Sequence, residues 1–199
     1  MSKSIRILFS ISVLILASKS LVGQKILITN DSLIVAFHTA MSYYPELQGQ
    51  KIRLQYGRIT TSMAAHPRIL SIFNKRNHRT YKIVVNKNLK KAQAQLVYDA
   101  PFDAQVGIMG HELAHIVDYT HQSGFGLIRT GIGYLSKKYR RKLEYKTDSV
   151  AISRGLGPQI HRFATYVLNE ADISPKYRAY KLMVYMKPEE IEERIASRQ

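Results

Sequence analysis

The chain contains no cysteine. That excludes disulfide scaffolds, thiolate-held zinc, thiol nucleophiles and lipid attachment through cysteine. Tryptophan is also absent. Acidic residues are scarce: 14 Asp and Glu stand against 30 Lys and Arg in 199 residues, a formal net charge of +16. Such a balance suits anionic surroundings, whether nucleic acid, phospholipid or acidic polysaccharide, without choosing among them. There is no internal repeat, no low-complexity tract and no apolar run, the N-terminal one included, long enough to span a bilayer. What remains is a composition of 45% hydrophobic and 22% charged residues, which is that of a globular domain rather than a disordered, collagen-like or coiled-coil chain.

The first segment reads as an address. Lys3 and Arg6 precede the apolar stretch from Ile7 to Ala17, and small and polar residues follow up to Gly23 and Gln24. A positive start, a short apolar run and a small residue at the cleavage point are the order of a secretory signal. Cleavage is expected after Gly23, with Ser20 as the other option. Removal of residues 1–23 takes away Lys3, Arg6 and Lys19 and no acid, so the basic character belongs to the remaining domain, residues 24–199. The protein is expected to be exported, to the periplasm or beyond.

That domain shows no linker. Asp31 to Tyr43 reads as a helix stopped by Pro45. Lys51–Tyr56 alternates polar and apolar residues as a half-buried strand does, and Tyr81–Asn86 is short and β-rich. Residues 69–73 suggest a short helix, and 103–120 is helical in pattern. Gly124, Gly126, Gly131 and Gly133 are expected to mark a loop. The remainder reads as helices over about 135–154, 158–170, 175–186 and 189–197, with Pro158, Pro175 and Pro188 at their starts. A small antiparallel sheet followed by a mainly helical C-terminal half is an α+β architecture.

One motif carries most of the chemistry: His111-Glu112-Leu113-Ala114-His115, inside the helical stretch. Residues at i and i+4 on a helix differ by about 40° in azimuth and about 6 Å in height. Two imidazoles at that spacing reach one cation from the same face. Glu112 lies about 100° round the helix, a poor third ligand but well placed to reach a water on the metal. A zinc-bound water is acidified to a pKa of about 7, and a carboxylate beside it accepts its proton as it attacks a carbonyl. This is the HExxH arrangement of zinc-dependent peptidases.

The third ligand has two candidates. Glu144 follows His115 by 29 residues, enough for a loop and a return helix, and Asp148 sits one turn further on. An acid at that place accepts the free N–H of a ligand imidazole and fixes its tautomer. His121 is the other: His111, His115, Asp118 and His121 have the spacing of the extended metzincin motif, with Asp where that motif has Gly. Asp makes the required sharp turn less readily than Gly. Met183 and Met186 lie in a predicted helix and supply no Met-containing turn. The balance favours Glu144.

With Glu144 in place the sequence resembles a gluzincin, the zinc peptidase class with HExxH on one helix and Glu on the next. Residues 103–157 are further similar to the HtpX and CAAX prenyl protease type, whose second helix carries Glu, Asp, Ala and Gly, here Glu144, Asp148, Ala151 and Gly155. The resemblance implies a zincin-like fold, zinc as cofactor, His111, His115 and Glu144 as ligands, Glu112 as general base and Asp148 as the residue that orients a ligand. The chain lacks the spanning helices of those relatives, so a small exported peptidase acting on peptides or proteins fits better than one with a lipid-buried substrate.

A hydrolytic site also benefits from a donor to the developing oxyanion. Tyr139, Tyr145, Arg154 and His161 are candidates by proximity in sequence. The strand at 81–86, just before the metal helix, is expected to flank the cleft and pair with an extended substrate, with 51–56 or 58–63 as substitutes. His38, His66 and His78 have no partner pattern. The basic clusters 75–79 and 137–142 read as solvated faces suited to an anionic envelope polymer; they lack the interleaved aromatics of a nucleic-acid platform. The rival to a peptidase is a basic, envelope-associated binding protein with a structural or residual zinc.

Overall fold

A computed structural model of the chain describes residues 23–88 and 92–198. The expected export signal at 1–23 lies outside the described residues except for Gly23.

The first described element is a strand, β1 (Gln24–Leu27), followed by helix α1 (Asp31–Met41) and strand β2 (Lys51–Gly57). Asn30 starts α1: its side chain accepts the Leu33 N–H, satisfying one of the orphan donors of the first turn. Leu33, Ala36, Phe37, Ala40 and Met41 recur at helical spacing on the buried face. A helix between two strands lets them lie parallel, and β1 and β2 do. Strands β3 (Met63–Pro67) and β4 (Thr80–Asn86) complete a four-stranded sheet among the described residues, in the order β1-β2-β4-β3.

The sheet is therefore mixed, not antiparallel as expected. β2 and β4 are parallel, and only β3 and β4 are antiparallel. The alternation of Ile52 and Leu54, or of Tyr81, Ile83 and Val85, fixes which face is buried but carries no information on strand direction. β4 also corrects the expected substrate-pairing strand. It lies inside the sheet with a neighbour on each side, so its backbone is already paired. The outer strand on that side is β3.

The remaining described elements are helical: α2 (Ala92–Tyr98), α3 (Phe102–His121), α4 (Gly124–Gly133), α5 (Lys137–Ala151), α6 (Gly157–Thr165), α7 (Pro175–Val184) and α8 (Pro188–Ala196). The glycine-rich segment expected as a loop is α4. Ser123 caps it by accepting the Gly126 N–H, and burial of Leu127 and Thr130 outweighs the weak helix propensity of its glycines.

α3 is the central helix, buried from Ala104 to Val117. Tyr44, itself fully buried, donates its hydroxyl to the Gly110 carbonyl at 2.6 Å. Gly107 lets α6 lie directly on α3: a Cβ there would stand 2.1 Å from the Gln159 carbonyl oxygen. The chain reaches that position through Gly155, whose φ of +91° breaks the helical path between α5 and α6 in a conformation open mainly to glycine. The mostly helical C-terminal half thus wraps the one helix that carries the motif.

Candidate metal centre

His111 and His115 project from α3 and Glu144 from α5, and all three are buried. Their ligand atoms lie within 4.8 Å of one another. Glu144 Oε2 stands 3.0 Å from His111 Nε2 and 3.4 Å from His115 Nε2. The imidazole rings are 4.8 Å apart, edge to face. α5 achieves this by amphipathicity: Glu144, Thr147 and Asp148 are buried on one face while Lys138, Lys142 and Lys146 are exposed on the other. At the surface, Lys146 of α5 pairs with Asp118 of α3, joining the same two helices.

The outer nitrogens of both imidazoles are held. His111 Nδ1 lies 2.7 Å from Asp148 Oδ1; a carboxylate only accepts, so Nδ1 carries the proton. His115 Nδ1 lies 3.1 Å from Thr147 Oγ1, and that hydroxyl donates its single proton to the Leu143 carbonyl at 2.9 Å. Thr147 must then accept from His115, so His115 Nδ1 is protonated as well. Both Nε2 lone pairs are left facing Glu144 Oε2. That carboxylate oxygen is buried and has no hydrogen-bond partner among the described residues, while Oε1 accepts from the Tyr134 hydroxyl at 3.3 Å. Two imidazole lone pairs and an unsatisfied carboxylate oxygen converging in a buried site are competent to hold a metal ion, and two nitrogens with one oxygen suit zinc among other divalent ions.

Without an ion, the same groups shift one another's protonation. Burial alone raises the Glu144 carboxyl, but the two imidazoles hold it well below the usual carboxylate range. Burial alone lowers His111, but Asp148 and Glu144 reverse this and raise it well above 6.5.

No protein-family model, curated protein or solved structure matches the chain.

Glu112 does not enter the cluster. It turns toward β3, where its Oε2 accepts the Ala65 N–H. The Ala65 carbonyl accepts from the Tyr119 hydroxyl at 3.4 Å, so the outward backbone of β3 is tied directly to the metal helix. A cleft of about 790 Å³ opens over the site between β3 and α4, and reaches His111, Glu112, His115 and Glu144. A smaller apolar pocket of about 50 Å³ lies beside it, sharing His111 and Glu112.

His121 is excluded. α3 runs unbroken through Asp118 to its last residue, His121, which is exposed, and Asp118 is engaged by Lys146 and by Gln122. The four residues considered as oxyanion donors are engaged elsewhere: Tyr145 with Glu190, Tyr139 with Thr130, Arg154 with Glu46 and His161 with Glu192. The hydroxyls beside the site belong to Tyr119, Tyr134 and Tyr185, which line the cleft. Tyr119 stacks on His115 with ring centres 6.0 Å apart, and Tyr185 lies 5.9 Å from the His111 ring. Burial, reinforced by the nearby carboxylates, raises all three phenols above their ordinary pKa, so they are donors at neutral pH. Arg140 fixes Tyr134 by donating to its carbonyl from Nη2 at 2.6 Å. Of these, only Tyr119, four residues after His115, had a positional signal. Thr147 had one too, as a polar residue on the buried face of α5. Tyr134 and Tyr185 are brought in by tertiary folding alone.

Proposed function

We propose that the protein is an exported, zinc-dependent peptidase of gluzincin type, with a zincin-like domain over residues 24–199. The observation that carries this reading is the convergence of His111 Nε2, His115 Nε2 and the unpartnered Glu144 Oε2 at the floor of an open cleft, with Glu112 beside them. A purely structural metal is normally closed off by four protein ligands; here three donors converge, and the cleft reaches them.

His111, His115 and Glu144 hold the ion, with Asp148 and Thr147 fixing the imidazoles. Bound there, zinc supplies Lewis acidity and lowers the pKa of its water to about 7. Glu112 is the general base: Ala65 N–H anchors Oε2, leaving Oε1 to take the proton from the attacking water and pass it to the leaving amine. Tyr134 or Tyr185 donates to the negative charge that develops on the carbonyl oxygen. The substrate is a peptide or protein entering the cleft between β3 and α4.

The test is Glu112→Gln, which keeps the side chain's size and removes the proton acceptor. It should retain zinc and lose at least about a hundredfold in peptide hydrolysis. Wild-type-like turnover in that variant excludes the mechanism, and absence of turnover in both forms excludes the peptidase reading.

A further inference from the structure

We infer that the rim of the cleft is a docking surface for an anionic lipid bilayer. α4 carries Phe125, Ile128 and Ile132 outward, and Leu135 follows in the turn after it. Their spacing of three, four and three residues places them on one stripe, roughly opposite the buried Leu127 and Thr130. Phe125 and Leu135 are 81% and 83% exposed. A second exposed group, Ile69, Leu70 and Phe73, comes from the segment between β3 and β4. The two groups are neighbours in space: Gly124 lies so close to that segment that a Cβ on it would stand 3.1 Å from the Ile72 carbonyl oxygen and 3.6 Å from the Phe73 ring. Arg79 closes the same junction by donating to the Gln122 carbonyl at 2.7 Å. Single exposed apolar residues are ordinary, but a contiguous group of this size marks an interaction surface.

Charge identifies the occupant. The patch is built from two stretches, 47–98 and 119–143, and neither contains a single Asp or Glu. Lys75, Arg76, Arg129, Lys137 and Lys138, within a few residues of the apolar ones in the chain, are exposed. A second copy meeting this face would bring like charges together, which disfavours self-association. Apolar side chains on the outer stripe of a short helix, flanked by bases and free of acids, form the pattern of a segment that lies in a bilayer interface: the apolar tips enter the acyl boundary and the bases stay at the anionic headgroups. Ile69 and Ile128 also line the cleft, so docking turns the cleft mouth toward the bilayer. This surface does not depend on the metal centre, and its test requires no catalysis.

Two measurements decide it, both with vesicles of phosphatidylglycerol and phosphatidylcholine in equal parts against phosphatidylcholine alone. Phe125→Trp places the chain's only tryptophan at the tip of the stripe. Its emission should shift to the blue with the anionic vesicles and not with the neutral ones. In co-sedimentation, Leu70→Ser, Phe73→Ser and Phe125→Ser together should lower partitioning by at least about tenfold, the scale of removing inserted apolar side chains. Wild type and variant carry the same N-terminal segment, so only the difference between them reads the rim. No blue shift, or partitioning unchanged by the triple substitution, overturns the inference. A blue shift that appears with protein concentration in the absence of lipid also overturns it, in favour of an interface between copies.

Discussion

Thr147→Val removes one oxygen from beside the metal centre and keeps the shape of the side chain. In the wild type the Thr147 hydroxyl donates to the Leu143 carbonyl and accepts from His115 Nδ1. The Leu143 carbonyl keeps its helical partner, the N–H four residues on, so the metal-free fold should change little. His115 is different. It either keeps Nδ1–H with no acceptor in a site where both residues are at most 4% exposed, or moves the proton to Nε2 and spends the lone pair that faces Glu144. An unsatisfied buried donor costs about 1–3 kcal/mol. The loss of a ligand's outer hydrogen bond typically lowers metal affinity by about 10–100-fold, which is about 1.4–2.8 kcal/mol. The two estimates converge, and both fall on the metal-bound state. Competition against a chromophoric chelator gives zinc affinity, and thermal unfolding of the metal-free protein reports the fold. Thr147→Ser, which retains the hydroxyl, should stay within about threefold of wild type because the acceptor survives. Undiminished affinity in Thr147→Val, or an equal loss in Thr147→Ser, would refute the tautomer argument.

Glu144→Ala should lose zinc, whereas His121→Ala, altering an exposed residue at the end of α3, should keep it; metal content of the purified variants decides, and the reverse ranking removes Glu144 from the site. The pH dependence has a defined sign. In the metal-free protein the raised pKa of His111 makes its protonated form a stabilising element that is complete below about 6.5 and is lost as pH rises through the raised value. The lowered pKa of Glu144 contributes stability present above about 4.5 and lost as pH falls through the lowered value. Zinc requires the neutral imidazole, so the increment it adds to the melting temperature should grow between about pH 6 and pH 9; calorimetry showing a flat or shrinking increment would contradict this. Gly107→Ala should destabilise by about 1–3 kcal/mol in urea unfolding, the usual range for overpacking, because its Cβ would stand 2.1 Å from the Gln159 carbonyl oxygen; a neutral result would mean that α6 moves off α3 freely.

The local parts of this site were legible in the sequence. His111 and His115 at i, i+4 need only one helix to meet, and the same holds for Glu144 and Asp148 on α5. The residues that complete it were not, because nothing local marks them. Tyr134 reaches Glu144 from the turn after α4, and Tyr185 comes from the end of α7. Strand direction was equally hidden: β2 has one alternation whether its neighbours run with it or against it. α4 was read as a loop from its glycines, since the burial of Leu127 and Thr130 that pays for the helix is decided by distant parts of the chain. The one-residue ambiguity at Asp118, sharp turn or continued helix, falls to the continued helix, where Asp118 pairs with Lys146 of α5.

A chain without cysteine has no covalent means of tying distant segments together. An ion held by His115 on α3 and Glu144 on α5 would supply such a tie, closing a loop of 29 residues through α4. By the chain-entropy estimate used for disulfides, a closed loop of that length restricts the unfolded ensemble by about 3–4 kcal/mol. Unlike a disulfide, this fastening ignores reductants and opens to a chelator or to acid. The segment it would enclose includes the whole of α4.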